Sequence, residues 1–513
     1  MNIHRRALVS VSDKTGLVPF VQGLVALGWE IVATGGTQKL LEDSGIKTIG
    51  ISEVTGFPEI LDGRVKTLHP KVHGGILARR DLPAHMQTLA EQGIETIDLV
   101  CVNLYPFRQT IAREGVTMAD AIENIDIGGP SMVRSAAKNW RDVTIICDPA
   151  DYGTVLDELK ANGCTSDETR LRLSAKAYTH TAEYDMCIAA YMRAQAGLPE
   201  KLFLEYEIKQ PLRYGENPHQ SAKFYAAPEK CSYSLAFSTQ IQGKELSYNN
   251  IQDANAALCA IRDFSEPCCI ALKHMNPCGA AVAPSIEQAW QAAYEADKVS
   301  IYGGIVVVNR ELSAEVARGM KPIFLEIVIA PSFSAEALEI LSAKKNLRVL
   351  KVDMTPNPAP QMQYISVIGG MLAQQQDKAV EAVTPEMCVT AAKPSEAQMA
   401  DINFGWKIVK HIKSNAIAVV RDGHTIGVGA GQTNRVGSAE IALKQAREAG
   451  YTEGLVLASD GFLPFDDTVA LAAQYGVTAI VQPGGSIRDA DAVAKADECG
   501  ITMLMTGVRH FKH

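Results

Sequence analysis

From residue 6 onward the chain alternates short apolar runs with longer amphipathic ones, and this rhythm restricts the fold more than any other feature. Residues 6–12 read as a strand and 15–27 as a helix capped by Ser12 or Asp13. Residues 30–34 read as a second strand, Gly35-Gly36 as a turn and 37–44 as a helix. Strands follow at 97–102 and 143–147, with a helix at about 130–139 between them. Such strand–helix–strand alternation specifies a mostly parallel sheet covered by helices, an α/β fold. A long helical stretch, 166–196, is broken by Gly197-Leu198-Pro199-Glu200, which separates a domain of residues 1–199 from one of residues 200–513.

The second part is mixed, with strands expected at 270–272, 304–308, 327–330, 416–420 and 479–481. A faint echo runs through it. A strand is followed by Asn276-Pro277-Cys278-Gly279-Ala280-Ala281, and another by Ile426-Gly427-Val428-Gly429-Ala430-Gly431. The echo points to two similar lobes joined near 382–395.

At 513 residues the chain is too long for one core. Its longest apolar runs, such as 305–308 and 327–330, are too short to cross a bilayer. The first apolar stretch reaches Asp13 quickly and has no small-residue cleavage site, so it reads as a strand and not a signal peptide. The cysteines number eleven and form no Cys-x-x-Cys pair, which argues for reduced thiols in the cytoplasm. Net charge is −9 and no basic stripe interleaves with aromatics, which argues against a nucleic-acid partner.

Ser10-Val11-Ser12-Asp13-Lys14-Thr15-Gly16 and Thr34-Gly35-Gly36-Thr37 each run from a strand into a helix. Free amides, hydroxyls and glycine's close approach suit an oxyanion there. Plain capping explains one such loop. Two at consecutive strand ends would open on the same sheet edge. Arg64 and Lys66, two apart in an extended loop, would point the same way and clamp an anion. His69 and His73 are four apart, but Pro70 interrupts the helix that a zinc pair would need. Tyr105, Asp126 and Lys138 are further titratable groups near sheet edges.

Residues 273–279, Lys-His-Met-Asn-Pro-Cys-Gly, end an apolar strand in a turn. Histidine suits proton transfer near pH 7, and a lysine beside it can steady a developing negative charge. Gly427-x-Gly429-x-Gly431 has the wrong spacing for a dinucleotide loop and no strand–helix–strand context, which excludes NAD. Pro277-Cys278 and His180-Thr181-Ala182-Glu183 carry only pieces of a zinc-deaminase signature, because the paired cysteine is missing.

Taken together these motifs resemble the bifunctional AICAR transformylase/IMP cyclohydrolase family over nearly the whole chain. Ser-Val-Ser-Asp-Lys-Thr-Gly, Thr-Gly-Gly-Thr, Gly-Arg-Val-Lys-Thr-Leu-His-Pro, Asn-Leu-Tyr-Pro-Phe and Ile-Asp-Ile-Gly-Gly match its cyclohydrolase half. Arg-Tyr-Gly-Glu-Asn-Pro-His-Gln, Lys-His-Met-Asn-Pro-Cys-Gly and Gly-Ala-Gly-Gln-Thr-Asn-Arg match its transformylase half. The resemblance implies a methylglyoxal-synthase-like N-terminal domain and two cytidine-deaminase-like lobes without zinc. It implies formyl transfer from 10-formyltetrahydrofolate to AICAR, then closure of formyl-AICAR to IMP with loss of water. A homodimer is implied, with no membrane or nucleic-acid partner; a monovalent cation is left open.

The resemblance also implies site residues. His274 would move the proton of the AICAR amine and Lys273 would stabilise the formyl oxyanion, with Asn415 orienting the reactants. Arg213, Tyr214, Arg435 and Arg509 would hold the nucleotide; Gly303, Glu326, Phe462, Asp467 and Ser486 would line the shared nucleotide and folate site. Lys66, Lys138, Tyr105 and Asp126 would act in cyclisation, with the acid lysine unassigned. Ser12, Lys14, Thr34, Gly36, Thr37, Arg64, Thr67 and Asn103 would bind phosphate and base. A competing reading makes the N-terminal half a regulatory nucleotide-binding module.

Overall fold

The Ala7-Leu8-Val9 segment is completely buried, as a strand covered on both faces requires. It belongs to β1 (Arg5–Ser10), the centre of a five-stranded parallel sheet with β2 (Trp29–Ala33), β3 (Ile49–Gly50), β4 (Leu99–Val102) and β5 (Thr144–Ile146), in the order β3-β2-β1-β4-β5. The computed structural model describes residues 5–356, 361–379 and 381–513. Helices α1 (Leu17–Ala26), α2 (Gly35–Asp43), α3 (Gly128–Lys138) and α4 (Asp167–Gln195) belong to this unit. The first compact unit runs to Glu205, slightly beyond the break expected from Gly197 and Pro199. Arg108 pairs with Glu205 at 3.2 Å and keeps the segment on this unit.

Two local expectations are corrected. Neither Ser12 nor Asp13 caps α1. Its N-cap is Gly16 at φ 66°, while Asp13 accepts from the backbone and hydroxyl of Thr15 at 2.9 and 2.7 Å. Gly35-Gly36 is not a turn before α2 but its first two residues.

The second unit, Tyr206–His513, opens with a hairpin of β6 (Glu207–Leu212) and β7 (Ala222–Ala226). Its centre is one mixed eleven-stranded sheet in two topologically matching halves. The first half has β8 (Thr239–Gln242), β9 (Cys268–Lys273), β10 (Asn276–Val282), β11 (Ile305–Val308), β12 (Ile327–Ala330) and β13 (Arg348–Lys351). After a separate hairpin, β14 (Met362–Val367) and β15 (Gly370–Gln375), come β16 (Ile417–Arg421), β17 (His424–Gly429), β18 (Leu455–Ser459), β19 (Val477–Gln482) and β20 (Thr502–Met505).

The halves join where β10 pairs antiparallel with β17, Ala281 opposite His424. Alternate residues of each strand face opposite cores. Ile270, Leu272, Ala418 and Val420 lie in one core cluster under α5 (Tyr248–Ile261) and α9 (Glu396–Val409). On the other face, α6 (Ile286–Ala296), α7 (Ala314–Met320) and α8 (Ala335–Ser342) cover the first half. There α10 (Arg435–Glu448), α11 (Asp467–Gln474) and α12 (Asp489–Glu498) cover the second.

Two candidate active sites

In the first unit β1 is followed by β2 on one side, while β4 lies on its other side. Loops leaving such strands diverge and leave a crevice at their carboxyl ends. A cleft of about 560 Å³ opens there. Ser10, Ser12 and Lys14 line it after β1; Thr34, Gly36 and Thr37 after β2; Asn103 and Tyr105 after β4. Arg64, Lys66 and Thr67 come from the connection between β3 and β4, and Asp126 from just before α3.

The loops hold one another. The Asn103 side-chain oxygen accepts the Ser12 and Asp13 N–H groups at 2.6 and 3.0 Å. Ser10 Oγ and Thr34 Oγ1 lie 2.6 Å apart, and Thr37 Oγ1 accepts the Val11 N–H at 3.1 Å. The Thr34 side chain does not cap α2, and nothing lies within 4 Å of where a Gly36 Cβ would stand. That leaves a helix start open to an anion, the placement that suits a phosphate.

Asp126 closes the far side. Its Oδ1 accepts the Gly129 N–H at 2.8 Å, and burial pushes its carboxyl above the usual range despite that bond, the Tyr105 N–H and the nearby Lys66 charge. Lys66 Nζ sits 3.8 Å from Glu59. Arg64 lines the same cleft at its exposed rim, where its guanidinium pairs with Glu123 at 2.5 Å. Lys138 is not in this cluster. It ends the helix that Gly128 begins, about 15 Å along the axis from the cleft, and is exposed.

In the second unit Lys273 ends β9 and His274 opens a tight turn. His274 and Met275 have φ of 53° and 62°, so β9 and β10 are joined by a two-residue turn with both residues left-handed. Lys273 Nζ donates to the Tyr302 carbonyl at 3.0 Å, next to Gly303. Antiparallel β9–β11 and parallel β11–β12 pairing place Gly303 and Glu326 on the same sheet edge as this turn. The antiparallel β10–β17 junction carries that edge into the second half. There it meets the start of β16, with Asn415, and the ends of β18 and β19, with Phe462, Asp467 and Ser486. One edge of the eleven-stranded sheet therefore presents Lys273, His274, Gly303, Glu326, Asn415, Phe462, Asp467 and Ser486.

Asn415 is fixed from both ends: its amide donates to Gln432 O at 2.8 Å and its oxygen accepts from Arg435 Nη2 at 2.8 Å. Arg435 is buried and also donates to Asp460 Oδ1 at 2.5 Å and Ser459 Oγ at 3.0 Å. Arg213 stacks on Tyr214, 4.9 Å from the ring centre, and lines a hollow with Phe324 and Glu326; Glu326 pairs with Arg348 at 2.6 Å. Arg509 lies over the Phe511 ring at 4.8 Å.

The family model described as AICARFT/IMPCHase bienzyme matches residues 136–445, and that of the MGS-like domain matches 16–131. A Bacillus cytotoxicus protein named bifunctional purine biosynthesis protein PurH is 57% identical over 511 residues, covering 99% of this chain and all of its own. The Streptococcus thermophilus protein of the same name is 56% identical over 515 residues, with the same coverage. The chain belongs to the AICARFT/IMPCHase bienzyme family.

It is a bifunctional enzyme of purine biosynthesis, AICAR transformylase and IMP cyclohydrolase, and the expected α/β class with an MGS-like N-terminal domain holds. A solved structure titled ForH is 42% identical over 36% of this chain and 95% of its own, at a TM-score of 0.34.

Gly427 and Gly429 do lie in a strand that leads into a helix, β17 into α10. They serve packing, because a Cβ at Gly427 or Gly429 would overlap the α10 carbonyl oxygens of Ala442 and Ser438. The residues that hold the site, Tyr302, Asp253, Lys413 and Asp460, carry no motif. Only the fold brings them there.

Proposed function

We propose that each unit carries one of the two reactions, cyclisation in the cleft of the first and formyl transfer along the sheet edge of the second. The placement of Lys66, Tyr105 and Asp126 around one cleft at a topological switch point is the observation that supports the first assignment. The loops after β1 and β2 would hold the phosphate through Ser12, Lys14, Thr34, Gly36 and Thr37. The carboxamide nitrogen then attacks a formyl carbon already held beside it, and proximity supplies much of the rate. Lys66, the lysine at the cleft, stabilises the oxyanion and helps water leave. Tyr105 and Asp126 position and move protons. Lys138 enters this reading on the resemblance alone.

For formyl transfer, the exposed His274 beside Lys273 supports the assignment of roles. The AICAR amine is a weak nucleophile, because its lone pair is delocalised into the ring. As it attacks the formyl carbon it loses its proton to His274. Lys273 steadies the oxyanion and protonates the folate nitrogen as the C–N bond breaks. Arg213, Tyr214 and Glu326 hold the nucleotide, with Arg509 and the Phe462, Asp467 and Ser486 loops completing the pocket. Arg435 acts on the substrate through Asn415. The donor is 10-formyltetrahydrofolate, and no zinc takes part.

The chain works as a homodimer in a reducing compartment, the cytoplasm. Hairpin β14–β15 supports the dimer, since Ile365, Val367, Ile368, Met371 and Leu372 are exposed and it pairs with no other strand among the described residues. The eleven free thiols support the compartment.

Incubating the purified protein with AICAR and 10-formyltetrahydrofolate, with IMP quantified by chromatography, tests the whole reading. IMP and tetrahydrofolate are expected from the native chain, and IMP from added formyl-AICAR alone with His274→Ala. Formyl transfer retained by His274→Ala removes that residue from the mechanism. Unchanged cyclisation by Lys66→Ala makes the first unit a regulatory module. A sedimenting species of one chain's mass removes the dimer.

A further inference from the structure

The two halves of the large sheet repeat each other residue by residue around their hairpins. In the first, Pro277 faces Leu272 and Gly279 faces Ala271, so Cys278 bulges. In the second, Thr425 faces Val420 and Gly427 faces Val419, so Ile426 bulges. The turn Lys273-His274-Met275-Asn276 is therefore the counterpart of Arg421-Asp422-Gly423-His424. Both turns are left-handed, with Asp422 and Gly423 at φ 50° and 72°.

An aspartate holds each turn from the preceding helix. Helices α5 and α9 each have fourteen residues and a serine capping box, and each carries Asp at its sixth position, Asp253 and Asp401. Asp401 accepts the Asp422 and Gly423 N–H groups at 3.0 and 2.7 Å. Asp253 Oδ1 accepts the Met275 N–H at 2.8 Å, and the His274 N–H faces the same carboxylate.

The occupants differ. Asp-Gly takes left-handed backbone readily, whereas methionine gains nothing from it. The second turn would form without help; the first must be imposed. Its other polar atoms are also held, with Asn276 donating to His274 O at 3.0 Å and accepting the Lys413 N–H at 2.8 Å.

We infer that Asp253 is a positioning residue for formyl transfer, whose carboxylate holds residues 274 and 275 left-handed and so aims the His274 imidazole. The inference rests on the reading in which His274 moves the proton. Asp401 is the built-in comparison: it has the same helix position and the same kind of turn, and no role in the reaction.

The test compares Asp253→Ala with Asp401→Ala in the full chain, measuring kcat and KM for formyl transfer alongside cyclisation. Asp253→Ala is expected to lower kcat about tenfold to a hundredfold, the size of a misaimed catalytic group, with KM for AICAR little changed. Asp401→Ala is expected to leave kcat near the native value. Adding Met275→Gly to Asp253→Ala, which recreates the Asp-Gly logic of the second turn, is expected to restore most of the loss. Equal small effects of the two alanine variants overturn the inference. So does a loss that Met275→Gly does not recover, or one confined to KM. Where Asp253→Ala loses its folded signal, Asp253→Leu, which fills the space without an acceptor, makes the same comparison with and without Met275→Gly. His274→Ala separates the two claims. Retained transfer there sinks the reading of the site, whereas abolished transfer with a silent Asp253→Ala sinks only the positioning role.

Discussion

Arg435 Nη2 donates to the side-chain oxygen of Asn415 at 2.8 Å, while its Nη1 is held by Asp460 at 2.5 Å. One planar guanidinium thus ties a fully buried carboxylate to a residue at the active edge. Lysine offers one nitrogen where the guanidinium offers two, and lacks the fixed fork that spans both partners. Arg435→Lys is expected to keep the fold and to lower formyl transfer about tenfold to a hundredfold, the value of one hydrogen bond to a charged group. Arg435→Ala leaves Asp460 unpaired and is expected to cost about 3–5 kcal/mol of stability. Activity assays and urea unfolding of both variants separate the effects. Native transfer rates in Arg435→Lys would detach Asn415 from the reaction.

The Lys66 charge in the cleft of the first unit lowers the Asp126 carboxyl and so contributes to the balance that sets it. Removing one group that stabilises an oxyanion typically costs two to three orders of magnitude, so Lys66→Ala is expected to lower cyclisation about a hundredfold or more. Formyl transfer by the second unit is expected to stay native. Rates of IMP release from formyl-AICAR, measured beside formyl transfer, decide it.

Gly427 has no room for a methyl group. A Cβ there would overlap the backbone carbonyl of Ala442, and Gly279 stands in the same relation to Ala293 on α6. Gly427→Ala is expected to push α10 off the sheet and to destabilise the second unit by about 1–3 kcal/mol. A lowered melting transition with cyclisation intact is the expected pattern. An unchanged transition would mean that helix and sheet separate at little cost.

The strand-to-helix loops around Thr34–Thr37 and the Lys273-His274 turn were legible because glycine, hydroxyl and charge cluster locally there. The merging of two lobes into one sheet was not. It rests on the β10–β17 pairing, whose partners are far apart in sequence; the echo between these segments marks a repeat and does not say that they pair. That Arg435 would hold the nucleotide is implied by the family resemblance alone. Its burial against Asp460 depends on where β18 ends. Lys138 enters the first site through the family resemblance, and the length of α3 places it away from the cleft.

His411 and Lys410 both reach Asp263, at 2.6 and 3.0 Å, in a site where all three side chains are almost wholly buried. Burial pushes the His411 imidazole from its ordinary 6.5 down to about 4; Asp263 pulls the other way and is outweighed, with Lys512 and Lys410 adding to the depression. The folded protein therefore keeps this histidine neutral where the unfolded chain would protonate it. Its stabilising contribution is complete above pH 6.5 and is lost as pH falls from there toward about 4. The slope is at most about 1.4 kcal/mol per pH unit. Asp263 acts in a lower window. Burial raises its carboxyl, but His411 and Lys410 outweigh that and hold it below 3.8, so its contribution fades only in stronger acid. His411→Gln keeps a nitrogen donor for Asp263 and removes the titration. Urea midpoints of the second unit at several pH values between neutrality and the acid limit are expected to fall in the native chain and to stay flatter in the variant. Parallel profiles would place the acid sensitivity on other groups.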